Sequence, residues 1–232
     1  MAPPTEDSTT IAVQMPPTEE AIAAFLAENV VDEAAMIAAN PFALSPAELI
    51  ARTKGILATN TGADDPSRLA ADFKFNAPIV GPLGKEEFIA AFASFKLAEA
   101  FPDSRANFHS FRVDPFEPSR VWFDTRFKGT HTGPLAGGRI AATGKRVESP
   151  PQALSMTFNP RGECTELTVG YVMDKNIGNT GGLGAVFGIL YAVGYGLPCR
   201  EGQPYRKSWR YWALMGVGDL MRRVQGKKFV SA

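Results

Sequence analysis

This chain of 232 residues predicts an α+β fold, and three observations carry that prediction. Capped segments with helical apolar spacing dominate residues 18–100, with one short strand among them. Strand-like runs follow from Asn107 to Met173. Helices and strands are segregated, not alternating, which argues against a βαβ sheet.

Residues 1–17 are rich in Pro, Thr and Ala and read as a flexible arm. Residues 18–44 read as N-terminal helices. Thr18 can cap the first, and Glu19 and Glu20 suit its positive end. Ile22, Phe25, Leu26 and Val30 give it an apolar face. Asp32 can start a second short helix that Pro41 ends. Ser45-Pro46 is a third helix start, with a capping serine and proline at the first helical position. Leu49, Ile50, Ile56 and Leu57 form its stripe. Phe73-Lys74-Phe75 is a short strand that stops at Pro78. Gly84 precedes a helix over Lys85 to Ala100, carrying Phe88, Ile89, Phe92, Phe95 and Leu97. Strands are predicted at Asn107 to Val113, Arg120 to Lys128, Arg146 to Phe158 and Cys164 to Met173. Pro160-Arg161-Gly162 reads as the tight turn between the last two.

Composition bounds the function. Formal net charge is zero and 45% of residues are hydrophobic, so a sizeable core is expected and a basic nucleic-acid footprint is not. His109 and His131 are the only histidines, which excludes a multi-histidine metal site, and no ligand spacing suggests another. Cys164 and Cys199 read as reduced thiols. The acidic, polar opening MAPPTEDSTT does not read as a secretory signal, so a cytoplasmic protein is expected.

The order of "FNAP", "GKEEF", "AFPD", then "GTHTG" followed by "TGKRV", resembles the SnoaL-like branch of the nuclear-transport-factor-2-like superfamily. The resemblance spans residues 45–175. It implies a cone: a curved antiparallel sheet packed on helices around an apolar pocket. A homodimer is expected. It also implies a hydrophobic small-molecule partner and acid/base chemistry without a cofactor. Isomerase, cyclase, dehydratase and hydratase types fit. In the SnoaL cyclase itself the catalytic aspartate lies seven residues after the glycine of the last hairpin turn. Its partner histidine lies seven before. Counted from Gly162, these positions hold Val169 and Ser155, so aldol cyclisation is not expected. Asp174 matches, after a two-residue shift, the acid often found where the last strand ends. Glu166 is the other carboxylate there.

Asp124 and Arg126 are two apart on one predicted strand, so both side chains should share a face. Facing the pocket, they could pair and polarise a ligand oxygen; the competing reading is a salt bridge on the solvent or dimer face. Related cone folds place Asp and Arg on pocket strands in epoxide hydrolases of the limonene type. His131 could act as general acid or base, although a backbone hydrogen bond at the "GTH" bend is preferred. The candidate catalytic set is therefore Asp124, Arg126, His131 and Asp174. The competing function is a non-catalytic carrier or assembly protein.

Residues 176–232 form an extension. Gly182-Leu183-Gly184-Ala185-Val186-Phe187-Gly188 looks like a dinucleotide loop but lacks the crossover and parallel strand such a loop needs. Close packing of this glycine-rich segment on the core or across a dimer is expected instead. An interfacial membrane contact through Trp209, Arg210 and Trp212 is the lesser alternative.

Overall fold

The computed structural model describes residues 18–224. The arm expected over residues 1–17 lies outside them. Helices α1 (Glu19–Asn29), α2 (Glu33–Ala39) and α3 (Pro46–Ala58) come first. Thr18, Asp32 and Ser45 cap them, each accepting from the backbone N–H three residues on. Ser45 and Glu48 close a reciprocal capping box. Strands β1 (Leu69–Asn76) and β2 (Leu83–Gly84) lead to α4 (Lys85–Phe95) and α5 (Leu97–Ala100). One helix over Lys85 to Ala100 was expected. Lys96 instead takes a left-handed conformation (φ 49°) and divides it.

Strands β3 (His109–Val113), β4 (Arg120–Thr125), β5 (Lys128–Thr130), β6 (Arg146–Glu148), β7 (Gln152–Phe158) and β8 (Cys164–Val172) follow, then α6 (Ala185–Val193) and α7 (Trp209–Val224). The curved main sheet has the order β2-β1-β8-β7-β4-β3, and β5 and β6 form a separate pair. Two predicted long strands are therefore broken. Pro150 and Pro151 supply no N–H to a ladder and split β6 from β7. The partner strand breaks alongside, between Thr125 and Lys128. The sheet is also not wholly antiparallel: β1 and β8 pair in parallel.

The core sits between the sheet and helices α3 and α4. Leu49, Ile56 and Phe88 meet Phe73, Phe123, Met156 and Leu167 there. A second cluster joins α6 to β6, the end of α5 and the loop after β5: Ile189, Leu190 and Val193 bury against Val147, Phe101 and Leu135. Gly184 and Gly188 explain the glycine-rich entry to α6. A Cβ on the first would collide with the Gly170 carbonyl, and one on the second with that of Leu183. The Gln152 side chain accepts from the Ala185 N–H at 2.8 Å, so part of the N-terminal end of α6 is capped from within. In contrast, α1 buries no residue, and Phe25 and Val30 lie exposed.

Candidate functional site

The two faces of β4 and β7 differ in character. Val121, Phe123, Leu154 and Met156 point inward to the helices. That interior was expected to hold an apolar pocket. Its β1–α4 side holds closely packed aromatic rings. Phe88 lies 5.1 Å from Phe73, 5.2 Å from Phe75 and 4.3 Å from Phe92, centroid to centroid. Rings at such spacing are in contact and pack α4 onto β1.

The outer face carries a polar network centred on Arg120. Its Nε donates to Glu117 at 2.7 Å, Nη1 to Ser155 Oγ at 2.8 Å and Nη2 to Glu166 at 3.3 Å. Ser155 Oγ also bonds Thr168 Oγ1 at 2.8 Å, and Asn76 donates to Glu166 at 2.7 Å. Bonds to Glu117 and Glu166 hold the guanidinium pKa above its ordinary value although burial opposes this. Arg120 was not a sequence candidate. Its signal was the alternation Arg120-Val121-Trp122-Phe123-Asp124, which places three polar-tipped side chains on one face. Ser155 belongs to this outer network whereas Val169 lies in the inner core. The two positions that match the family's catalytic pair therefore sit on opposite faces.

Asp124 shares the outer face and is almost fully buried. It stands opposite His109 on β3 and Ala153 on β7. Its nearest cation is Arg112, with Nη1 at 4.0 Å from Oδ1, and Oδ1 makes no hydrogen bond. Arg126 does not extend this strand face, because β4 ends at Thr125. Its backbone turns to Ala106 (N to O, 3.1 Å), while Asn107 Nδ2 donates to its carbonyl at 2.8 Å. Its charge acts on Glu148, whose carboxyl is held below its ordinary value first by Lys128 at 2.7 Å, then more weakly by Arg146 and Arg126. The expected Asp124–Arg126 pairing is thus not made.

His131 is fully buried, stacked 5.1 Å from Phe101. Thr143 donates from its backbone N–H to Nδ1 at 3.3 Å, and its hydroxyl lies 2.9 Å from the same nitrogen. This assigns the lone pair to Nδ1 and the ring proton to Nε2, which has no partner. Burial pushes the imidazole pKa down. Gly133 in the same bend lets the chain press on α5: a Cβ there would collide with the Glu99 carbonyl. Asp174 receives the Asn176 N–H at 2.9 Å, a local turn just after β8.

Clefts among the described residues include two on the surface. One of ≈ 400 Å³ is lined by Asp103, Arg105, Asn107, Lys128, Thr130 and Arg146. The other, of ≈ 210 Å³, lies among Arg52, Arg68, Arg161 and Glu163. Neither is lined by any of the four candidates. Among the described residues, no three of His, Cys, Asp and Glu are grouped to hold a metal ion. No described helix is long and apolar enough to cross a membrane.

No family model matches the chain, and no curated protein matches it. Solved structures do. A candidate SnoaL-like polyketide cyclase from Jannaschia sp. CCS1 is 18% identical, with 66% of this chain and 95% of that one covered at a TM-score of 0.46. AclR, a candidate hydroxylase from Streptomyces galilaeus, is 18% identical over 67% and 89% at 0.47. An NTF2-like protein from Cytophaga hutchinsonii is 17% identical over 54% and 88% at 0.34. The solved structural neighbours of this α+β chain are thus SnoaL-like and NTF2-like proteins.

Proposed function

We propose that this protein is a non-catalytic scaffold, in which the cone serves assembly and has given up its interior site. The observation that carries this reading is the close aromatic packing of Phe73, Phe75, Phe88 and Phe92 between β1 and α4, on the side where a pocket was expected. The candidate groups support it. His131 is bonded to Thr143, Asp174 serves a turn, and Asp124 and Arg126 belong to different surroundings. Exposed apolar residues on α1 and α7 supply surface for partners.

Benzene tests the reading. Phe88→Ala should leave a cavity that takes the probe, so benzene should raise the melting temperature of the variant and leave that of the wild type unchanged. A comparable rise in the wild type would show an open apolar site and overturn the proposal.

A further inference from the structure

Helix α7 carries most of its apolar residues on one side, and that side faces solvent, while Trp212 and Met215 lie outside it. Trp209, Ala213, Val217 and Leu220 fall within one narrow arc at 100° per residue, and Leu214 and Met221 widen it. Trp209 is 75% exposed, Leu214 70% and Leu220 63%. Tyr211, on the opposite side, is half-buried. A packed helix would show the reverse arrangement.

The charges around this stripe are of one sign. From Tyr205 to Lys228 the sequence has seven Lys and Arg and one acidic residue, Asp219, in a chain of zero formal net charge. Lys207 Nζ lies 4.9 Å from the Tyr211 ring and 5.1 Å from that of Trp212, and Arg210 lies 5.5 Å from that of Trp209. Arg210 falls inside the apolar arc, between Val217 and Met221 on the helical projection. In a protein groove it would be buried among apolar groups at a high desolvation cost. At a lipid interface it can extend to the phosphates while its stem and the tryptophans stay at headgroup depth.

We infer that α7 lies flat on an anionic lipid surface, with Trp209, Val217, Leu220 and Met221 inserted and Arg206, Lys207 and Arg210 on the headgroups. This deepens the scaffold reading by naming what the scaffold is held against. The two can fail separately, because benzene probes the interior and vesicles probe α7.

The test is co-sedimentation of the full chain with vesicles of equimolar phosphatidylcholine and phosphatidylserine, and with phosphatidylcholine alone. Binding is expected to the first, to weaken with added salt, and to shift tryptophan emission to the blue. The double variant Trp209→Glu, Trp212→Glu alters exposed positions, and should lose binding by about tenfold or more while its circular dichroism stays unchanged. No binding to the anionic vesicles would overturn the inference, as would an unaltered double variant or equal binding to both vesicles. So would a lipid-free dimer that the double variant disperses, since a second copy would then be the occupant.

Discussion

Arg112, which pairs with Trp122, reaches diagonally from β3 toward Asp124 on β4 and brings Nη1 to 4.0 Å from Oδ1. Half of the arginine side chain is exposed, and the distance exceeds that of a hydrogen bond. The interaction is weak for so buried a carboxylate. Asp124→Asn keeps the shape and removes the buried charge. Its stability in urea should stay within about 1 kcal/mol of wild type. A loss above roughly 3 kcal/mol would mean that the carboxylate has a strong partner in solution.

His131 should make stability depend on pH in one direction. The fold holds the ring neutral by burial, so its folded pKa lies below the unfolded value of about 6.5. As pH falls through that value the unfolded chain gains a proton that the native state refuses. Stability is therefore full above about pH 6.5 and declines below it, by at most roughly 1.4 kcal/mol per pH unit. Urea midpoints across this range should lose that slope in His131→Gln. An identical slope in the variant would remove His131 as its cause.

The two cysteines should differ sharply. Burial pushes the Cys164 thiol up to about 12, and its Sγ donates to the Glu166 carbonyl at 3.2 Å. Cys199 is exposed. A thiol reagent at neutral pH should modify Cys199 alone in the native protein, and both after denaturation. Rapid labelling of both in the native state would contradict the packing around β8.

The extension should divide into an indispensable and a dispensable part. Ending the chain after Lys175 removes α6 and uncovers Phe101, Leu135 and Val147. That variant should aggregate. Ending it after Tyr205 removes α7 with residues 206–208 and 225–232 but keeps α6, and should leave a soluble protein with a melting temperature close to wild type. Aggregation of the second variant would show that α7 covers the core.

The helices were legible because their signals are local: Thr18, Asp32 and Ser45 each cap where the sequence places them. The strand breaks were legible only in part. Pro150-Pro151 stood in view, but the matching interruption after Thr125 depends on the partner strand. Asp124 could be read as a buried candidate. Its neighbour could not, because β3 shifts register between His109 and Arg112 and brings Arg112 to it. The place of His131 was visible in the "GTHTG" bend, and Thr143 in "TGKRV" proved to be its partner. The aromatic packing between β1 and α4 was least legible. Phenylalanine stripes on α4 and β1 read the same whether they line a pocket or close it.

The parallel pairing of β1 with β8 also orders events in time. Leu69 meets Cys164, so the first long strand has its central neighbour only after nearly the whole cone has left the ribosome. Until then β1 has only the two-residue β2 for company, and the other edge of its backbone is unpaired. Contacts so distant along the chain slow folding. The nascent protein therefore spends the synthesis of about a hundred residues as an incomplete sheet, the interval in which it is most open to chaperones and to mispairing.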